Sequence, residues 1–391
     1  MTAISDILLV LVLGGAVGWL SQRLNFPNAV AQVVLGVLIG TAVLGWVPHS
    51  GVLHAFGEVG VVLLLGVAGL ELGIDRLKAA GWAGAGVATL GIVFSVAGGV
   101  GIGWLYGSPI DEALYLGLVL GATSIGITAQ VLAQFGLMGH RVADILLAAA
   151  VIDDVIALYL LGAAHGFLSG GSSGSGALVF VALAILVLGG LLMLSRGLTR
   201  WAYHRGFIVN RWWRGVWILA AVALGAWLTH TLNLSLVVGA FFAGVGAGGG
   251  LTLDASGRSA KDLQPLVFLL MPFFFVMIGV QAQWSILDDP TVLGLLLGLI
   301  AFAVMAKVAG GVLGAVRVNS WRERWLIGFG MVPRGEVALV IGTLAFEQGH
   351  MTRPVFVALV LMTIAVAVTG PLLMAPLAKG LGARLSAGAT R

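Results

Sequence analysis

Apolar runs long enough to cross a bilayer follow one another along almost the whole of this chain, joined by short connections. Only a bundle of membrane-crossing helices can bury them with every backbone group paired. A helix rises about 1.5 Å per residue and the hydrocarbon core is about 30 Å thick, so about 20 apolar residues make a span. Such segments fall at roughly 4–21, 29–47, 56–72, 83–106, 112–136, 143–167, 177–195, 214–230, 233–249, 263–283, 290–315, 324–346 and 354–378. The expected fold is an all-α polytopic membrane protein with thirteen transmembrane helices. Gly, Pro or Asn punctuates several junctions, as in Asn25-Phe26-Pro27, Gly107-Ser108-Pro109 and Asp289-Pro290. Only His230-Thr231-Leu232-Asn233 separates the eighth span from the ninth.

Composition narrows the class further. The chain is 60% hydrophobic and 9% charged, against about 25% charged in a soluble domain. Its 60 glycines, roughly twice the usual share of about 7%, suit helices whose backbones touch in lipid. Cysteine is absent, which excludes disulfides and thiolate metal sites, and no cofactor is expected beyond transported ions. The net charge of +4 is scattered over short loops rather than gathered on one face, so nucleic acid is not an expected partner. The first segment carries Asp6 and no Lys or Arg ahead of its apolar stretch, which reads as a retained helix rather than a cleaved signal peptide.

Loop charge sets the orientation. Loops after odd-numbered spans hold Arg23; Arg76 and Lys78; Arg141; Arg196, Arg200, Arg205, Arg211 and Arg214; Arg258 and Lys261; Arg317, Arg322 and Arg324; and Lys379, Arg384 and Arg391. Loops after even-numbered spans hold only Arg353, with Asp111-Glu112, Asp288-Asp289 and the flexible tract Ser169 to Gly176. The N-terminus is expected outside and the C-terminus in the cytoplasm, in a bacterial inner membrane.

Five charges lie deep inside spans: Asp153, Asp154, Lys307, Arg334 and Glu336. An ionisable residue at that depth costs about 2.5–3.5 kcal/mol on insertion scales, so each is a functional candidate. Asp153 and Asp154 project about 100° apart on a helix, so one can meet water while the other meets a protein partner. Two adjacent buried acids resist simultaneous ionisation, which suits them to carry a proton. Ionised, they are hard oxygen ligands for Na+ or Li+. Proton and cation competing for one site are then coupled, provided the site opens to one side at a time. Lys307 is the expected counter-ion of Asp153, the alternative being that it snorkels to the surface.

Two spans carry breaks. Gly121-Ala122-Thr123-Ser124-Ile125-Gly126-Ile127-Thr128 is a run of small and hydroxylated residues, and Gly330-Met331-Val332-Pro333-Arg334-Gly335-Glu336 surrounds a proline with glycines. Lying seven helices apart, these fifth and twelfth spans run in opposite directions, as in an inverted-topology repeat with two crossed discontinuous helices. Thr123, Ser124, Thr128 and Pro333 then supply hydroxyls and unwound backbone near the aspartates. Arg334 is placed to compensate the negative dipole ends and Glu336 the positive ones.

These residues give the chain a resemblance to bacterial Na+/H+ antiporters of the monovalent cation:proton antiporter-2 family. It rests on Ala122 to Ala129, Ala150 to Val155, Phe274 to Val280, Ala306 to Gly311 and Pro333 to Val337, in family order. The resemblance implies a homodimer and elevator-like movement of a core against a scaffold, with residues 1–75 and 216–286 as scaffold, 76–170 and 287–391 as core, and 171–215 as linker. It implies Asp154 as main ligand for Na+ and proton, Asp153 paired to Lys307, and electrogenic exchange serving pH homeostasis; Asp153, Thr123 and Ser124, read from the residues themselves, are the further candidate ligands. Gln130 and Gln281 stand where some relatives carry basic residues. Two alternatives remain open: a K+/H+ antiporter on the same scaffold, and a sodium-coupled organic-anion symporter. An intramembrane aspartyl protease fits poorly, because its acids lie on separate helices.

Overall fold

The computed structural model describes residues 3–24, 26–41, 43–48, 50–168, 174–208, 210–232, 236–282 and 289–389. They form α1 (Ala3–Arg23), α2 (Asn28–Ile39), α3 (Gly51–Leu105), α4 (Ile110–Gly121), α5 (Ile125–Gln134), α6 (Arg141–Leu168), α7 (Gly174–His204), α8 (Arg211–Thr231), α9 (Leu236–Gly250), α10 (Leu253–Val280), α11 (Pro290–Gly314), α12 (Trp321–Gly330), α13 (Glu336–Glu347) and α14 (Arg353–Ala389). Among the described residues, eight helices are long and apolar enough to cross a membrane, and three further apolar helices are shorter.

Several boundaries differ from the expected spans. The third and fourth spans join in α3, because the stretch expected as their loop, residues 73–82, is rich in helix formers from Asp75 to Ala80 and lacks proline. The one interruption is Gly73, at φ 66° and ψ 172°, a conformation essentially reserved for glycine. α2 stops at Ile39 although the sequence stays apolar to Val47: Gly40 caps it and the chain folds back, Trp46 and Val47 both donating to the Ile39 carbonyl at 2.9 Å. α7 and α10 extend beyond their apolar cores into polar sequence, to His204 and back to Leu253. Residues 169–173 of the expected flexible tract, together with Asn25, Asn233 and Asp288, lie outside the described residues, and Gly174 to Gly176 begin α7.

α3 is the central element, packed against α9, α10, α11, α4 and α6. Small residues set these contacts. α2 and α10 meet backbone to backbone, and a methyl group on Gly36 or Gly279 would collide with the Val276 or Val33 carbonyl. Gly84 of α3 faces Ala148 of α6, and a side chain on Gly310 of α11 would meet Gly91 Cα of α3 at 2.5 Å. The second arm of α3 thus draws α6 and α11 close together.

Replacing Gly73 by alanine forces a Cβ into a backbone region that costs about 1–3 kcal/mol. Gly81, helical and with open space where its Cβ would go, is the control. Thermal unfolding in detergent should show Gly73→Ala clearly destabilised and Gly81→Ala neutral or slightly stabilised; equal midpoints would contradict the kink geometry.

Candidate functional site

The charged cluster forms where α6 and α11 face each other across α3. Lys307 is fully buried and its Nζ lies 2.7 Å from Asp153 Oδ2, with both side chains at 0% exposure. It does not snorkel. Its stem passes Gly91 of α3, where a Cβ would lie at ordinary contact distance, 3.4 Å, from the lysine Cδ. The Thr123 hydroxyl donates to the same Asp153 oxygen at 2.5 Å. Desolvating an ion pair costs several kcal/mol per ion, and this additional donor offsets part of that cost. Asp153 Oδ1 is buried and receives no hydrogen bond among the described residues. Asp154, the next residue on α6, is 2% exposed.

Thr123 reaches the aspartate because its helix is interrupted. α4 ends at Gly121, Ala122 and Ser124 are extended, and α5 begins at Ile125. The matching interruption lies between α12, capped at Met331, and α13, which begins at Glu336 after Gly335. The two breaks bind each other. Ser124 N–H donates to the Pro333 carbonyl at 2.8 Å, and the Thr128 hydroxyl donates to the Gly330 carbonyl at 2.6 Å. Ser124 Oγ is buried without a hydrogen-bond partner among the described residues. A Cβ on Gly335 would lie 2.6 Å from it, so glycine at 335 lets the two N-caps adjoin.

Arg334 resolves the electrostatics of these four helix ends. Fully buried, it donates from Nη2 to the Leu120 carbonyl at 2.6 Å, and from Nη1 to the Met331 and Val332 carbonyls, each at 3.1 Å. These oxygens belong to the C-terminal ends of α4 and α12, where the helix dipole is negative and carbonyls lack helical partners. One guanidinium therefore satisfies both ends. Glu336 is the first residue of α13; its side chain lies outside the described residues.

A cavity of about 740 Å³ is lined by Gln22, Asn28, Glu71, Gln130, Gln134 and Lys261 among others. Neither aspartate is in its lining. Gln130, 8% exposed, lines this cavity and lies two residues after Thr128 on α5. Gln281 instead donates to the Met277 carbonyl at 3.2 Å in its own helix.

Other polar contacts are not marked by the sequence pattern. Arg76 grips Asp144 at the start of α6 with two bonds, of 3.0 and 2.6 Å. Gln134 clasps the α1–α2 turn, accepting from Asn28 N–H at 2.8 Å and donating to the Phe26 carbonyl at 2.6 Å. Asp144 and Glu71 sit near span ends, where an acid looks like ordinary boundary sequence. Because the partner of Asp144 lies on a distant helix, no local pattern singles it out.

Comparison with known proteins places this geometry in context. A family model described as "Sodium/hydrogen exchanger, transmembrane" matches residues 8–380. An Na(+)/H(+) antiporter of Enterococcus hirae is 30% identical over 96% of this chain and 97% of its own length. The Na(+)/H(+)-K(+) antiporter GerN of Bacillus cereus is 29% identical, over 94% of each chain. Among solved structures, the sodium proton antiporter MjNhaP1 of Methanocaldococcus jannaschii superposes with a TM-score of 0.76 at 19% identity, covering 98% of this chain and 97% of that one.

Removing one member of a buried ion pair costs about 3–5 kcal/mol, because the other is left uncompensated. Lys307→Ala should therefore lower the unfolding midpoint of the purified protein strongly, and Lys307→Ala with Asp153→Ala should recover much of the loss. A double variant as unstable as the sum of the singles would show that the two groups are not coupled.

Proposed function

The chain belongs to the sodium/hydrogen exchanger family, and on that premise we propose that it exchanges Na+ or Li+ for H+ across a bacterial inner membrane, both competing for Asp154. The observation that carries this reading is the Lys307–Asp153 pair, buried at 0% exposure beside a second carboxylate in the same helix. The lysine and Thr123 occupy Asp153 Oδ2, whereas Asp153 Oδ1 and Ser124 Oγ are buried acceptors not spent on protein donors among the described residues. Together with Asp154 and the Thr123 hydroxyl they form an oxygen-rich set suited to a small monovalent cation. Protonating the acids removes that set, and a bound cation opposes reprotonation. Exchange follows from this antagonism once access alternates.

In this reading thirteen spans cross the membrane as inverted repeats, with α4–α5 and α12–α13 as the crossed discontinuous pair, the N-terminus outside and the C-terminus in the cytoplasm. Residues 76–170 and 287–391 form the moving core, 1–75 and 216–286 the scaffold of a homodimer, and 171–215 the linker. Two features support the division. Gly73, the kink of α3, adjoins the proposed boundary at 75, and Arg76 beyond it is tied to α6 within the core. Electrogenic exchange, with more protons moved than cations, rests on the acid pair with its lysine, and would serve pH homeostasis. The Bacillus cereus relative GerN is an Na(+)/H(+)-K(+) antiporter, which makes K+/H+ exchange on the same scaffold the second reading.

Purified protein in proteoliposomes with an imposed pH gradient tests this. Internal pH should respond to Na+ and Li+, with a membrane potential developing, and Asp154→Asn should reduce the response to that of empty liposomes. A response to K+ alone would overturn the sodium assignment, an absent potential would overturn electrogenicity, and full activity in Asp154→Asn would overturn the site.

A further inference from the structure

The turn between α13 and α14 closes onto the first turn of α4. Thr352 donates its backbone N–H and its hydroxyl to Glu112 Oε1, at 2.8 and 2.9 Å, across 240 positions of sequence. His350 Nδ1 lies 3.1 Å from Asp111 Oδ2. The His350 ring also stacks on Tyr115 with centroids 5.4 Å apart, and the Tyr115 hydroxyl donates to Gln348 Oε1 at 3.3 Å. Glu112 is only 4% exposed, so its contacts with Thr352 offset a real desolvation cost.

This cluster faces the candidate site along two stiff rods. α4 runs from Asp111 and Glu112 to Leu120, whose carbonyl is held by Arg334, and three residues later comes Thr123, the donor to Asp153. α13 runs from the other break to Gln348. A helix of twelve residues is about 18 Å long and does not stretch. The two half-helices are therefore pinned to each other at both ends, through Arg334 and the Ser124–Pro333 bond at one and through Asp111, Glu112 and Tyr115 at the other.

We propose that Asp111, Glu112 and Tyr115 with Gln348, His350 and Thr352 form a titratable clamp that positions Thr123 against Asp153 and so sets the cation affinity of the exchange site. This deepens the exchange reading above and rests on it. His350 and Asp111 are 28% and 30% exposed, so the proton reaches the imidazole from water on that face. Protonated, the ring meets Asp111 as a charge-assisted pair; neutral, it offers at most an ordinary hydrogen bond. The other ionisable groups at the ends of the elements that meet here are Glu112 and Tyr115 on α4, Glu347 at the end of α13 and Arg353 at the start of α14. The clamp is tighter at low pH than at high pH. All six are positioning residues, since none is placed against the ion.

The test is isotopic Na+ exchange in proteoliposomes at equal pH on both faces, with KM and kcat measured at about pH 6 and about pH 9. His350→Ala should raise KM roughly three- to tenfold over the wild type at the lower pH, change kcat little, and match the wild type at the higher pH. Glu112→Ala should raise KM at both, and Glu112→Gln, which keeps an acceptor oxygen, should restore it. A KM ratio for His350→Ala that ignores pH, or kcat and KM degraded together at every pH, would overturn the clamp. Hydrogen-exchange protection of segment 348–352 provides a readout independent of transport, and His350→Ala should lose protection at the lower pH only. Unchanged protection overturns the clamp whatever the transport result. A wild type that exchanges no Na+ while protection responds overturns the exchange reading, and the affinity claim with it.

Discussion

An ammonium and a carboxylate held 2.7 Å apart at zero exposure constrain the rest of this molecule. Neither charge is tolerable alone at that depth, so α6 and α11 must be brought to a fixed separation before either can be buried. Glycines of α3 and α11 serve this packing: with side chains at Gly84 and Gly310, the helices could not approach closely enough for Lys307 to reach Asp153. The third participant, Thr123, is available only because its helix is broken. Packing, backbone interruption and charge thus form one connected requirement.

The breaks would be unstable without Arg334. Interrupting two helices within a membrane leaves carbonyls and N–H groups with no water to satisfy them. The guanidinium takes the carbonyls of Leu120, Met331 and Val332, and the breaks satisfy part of the remainder mutually through Ser124 and Pro333. Its fixed fork of donors suits several carbonyls that a lysine could not reach at once. The negative helix ends are thus neutralised by protein rather than by mobile ions.

What could be read in the sequence was set by how rare a signal is in apolar surroundings. Charges in mid-span stand out, which is why Asp153, Asp154, Lys307 and Arg334 can be named without coordinates, and the Thr-Ser and Pro-Arg-Gly stretches mark the interruptions for the same reason. Boundaries are different, because hydropathy and helix propensity are separate properties. Asp75 to Gly81 is polar yet helical, so α3 runs through an expected loop, whereas Gly40 to Val47 is apolar yet not helical, so α2 ends early. Pairings between distant segments, such as Arg76 with Asp144 or Glu112 with Thr352, are set by packing that no local pattern encodes.

The central claim is that one carboxyl cluster holds either a proton or a cation. The most direct measurement is the equilibrium affinity of the purified protein for Na+, by calorimetry, across a range of pH. Competition predicts that affinity weakens by about tenfold for each unit of acidification per proton displaced, once pH falls below the range in which the cluster takes up its proton. An affinity that stays flat through that range would mean separate sites for the two ions and would contradict the account.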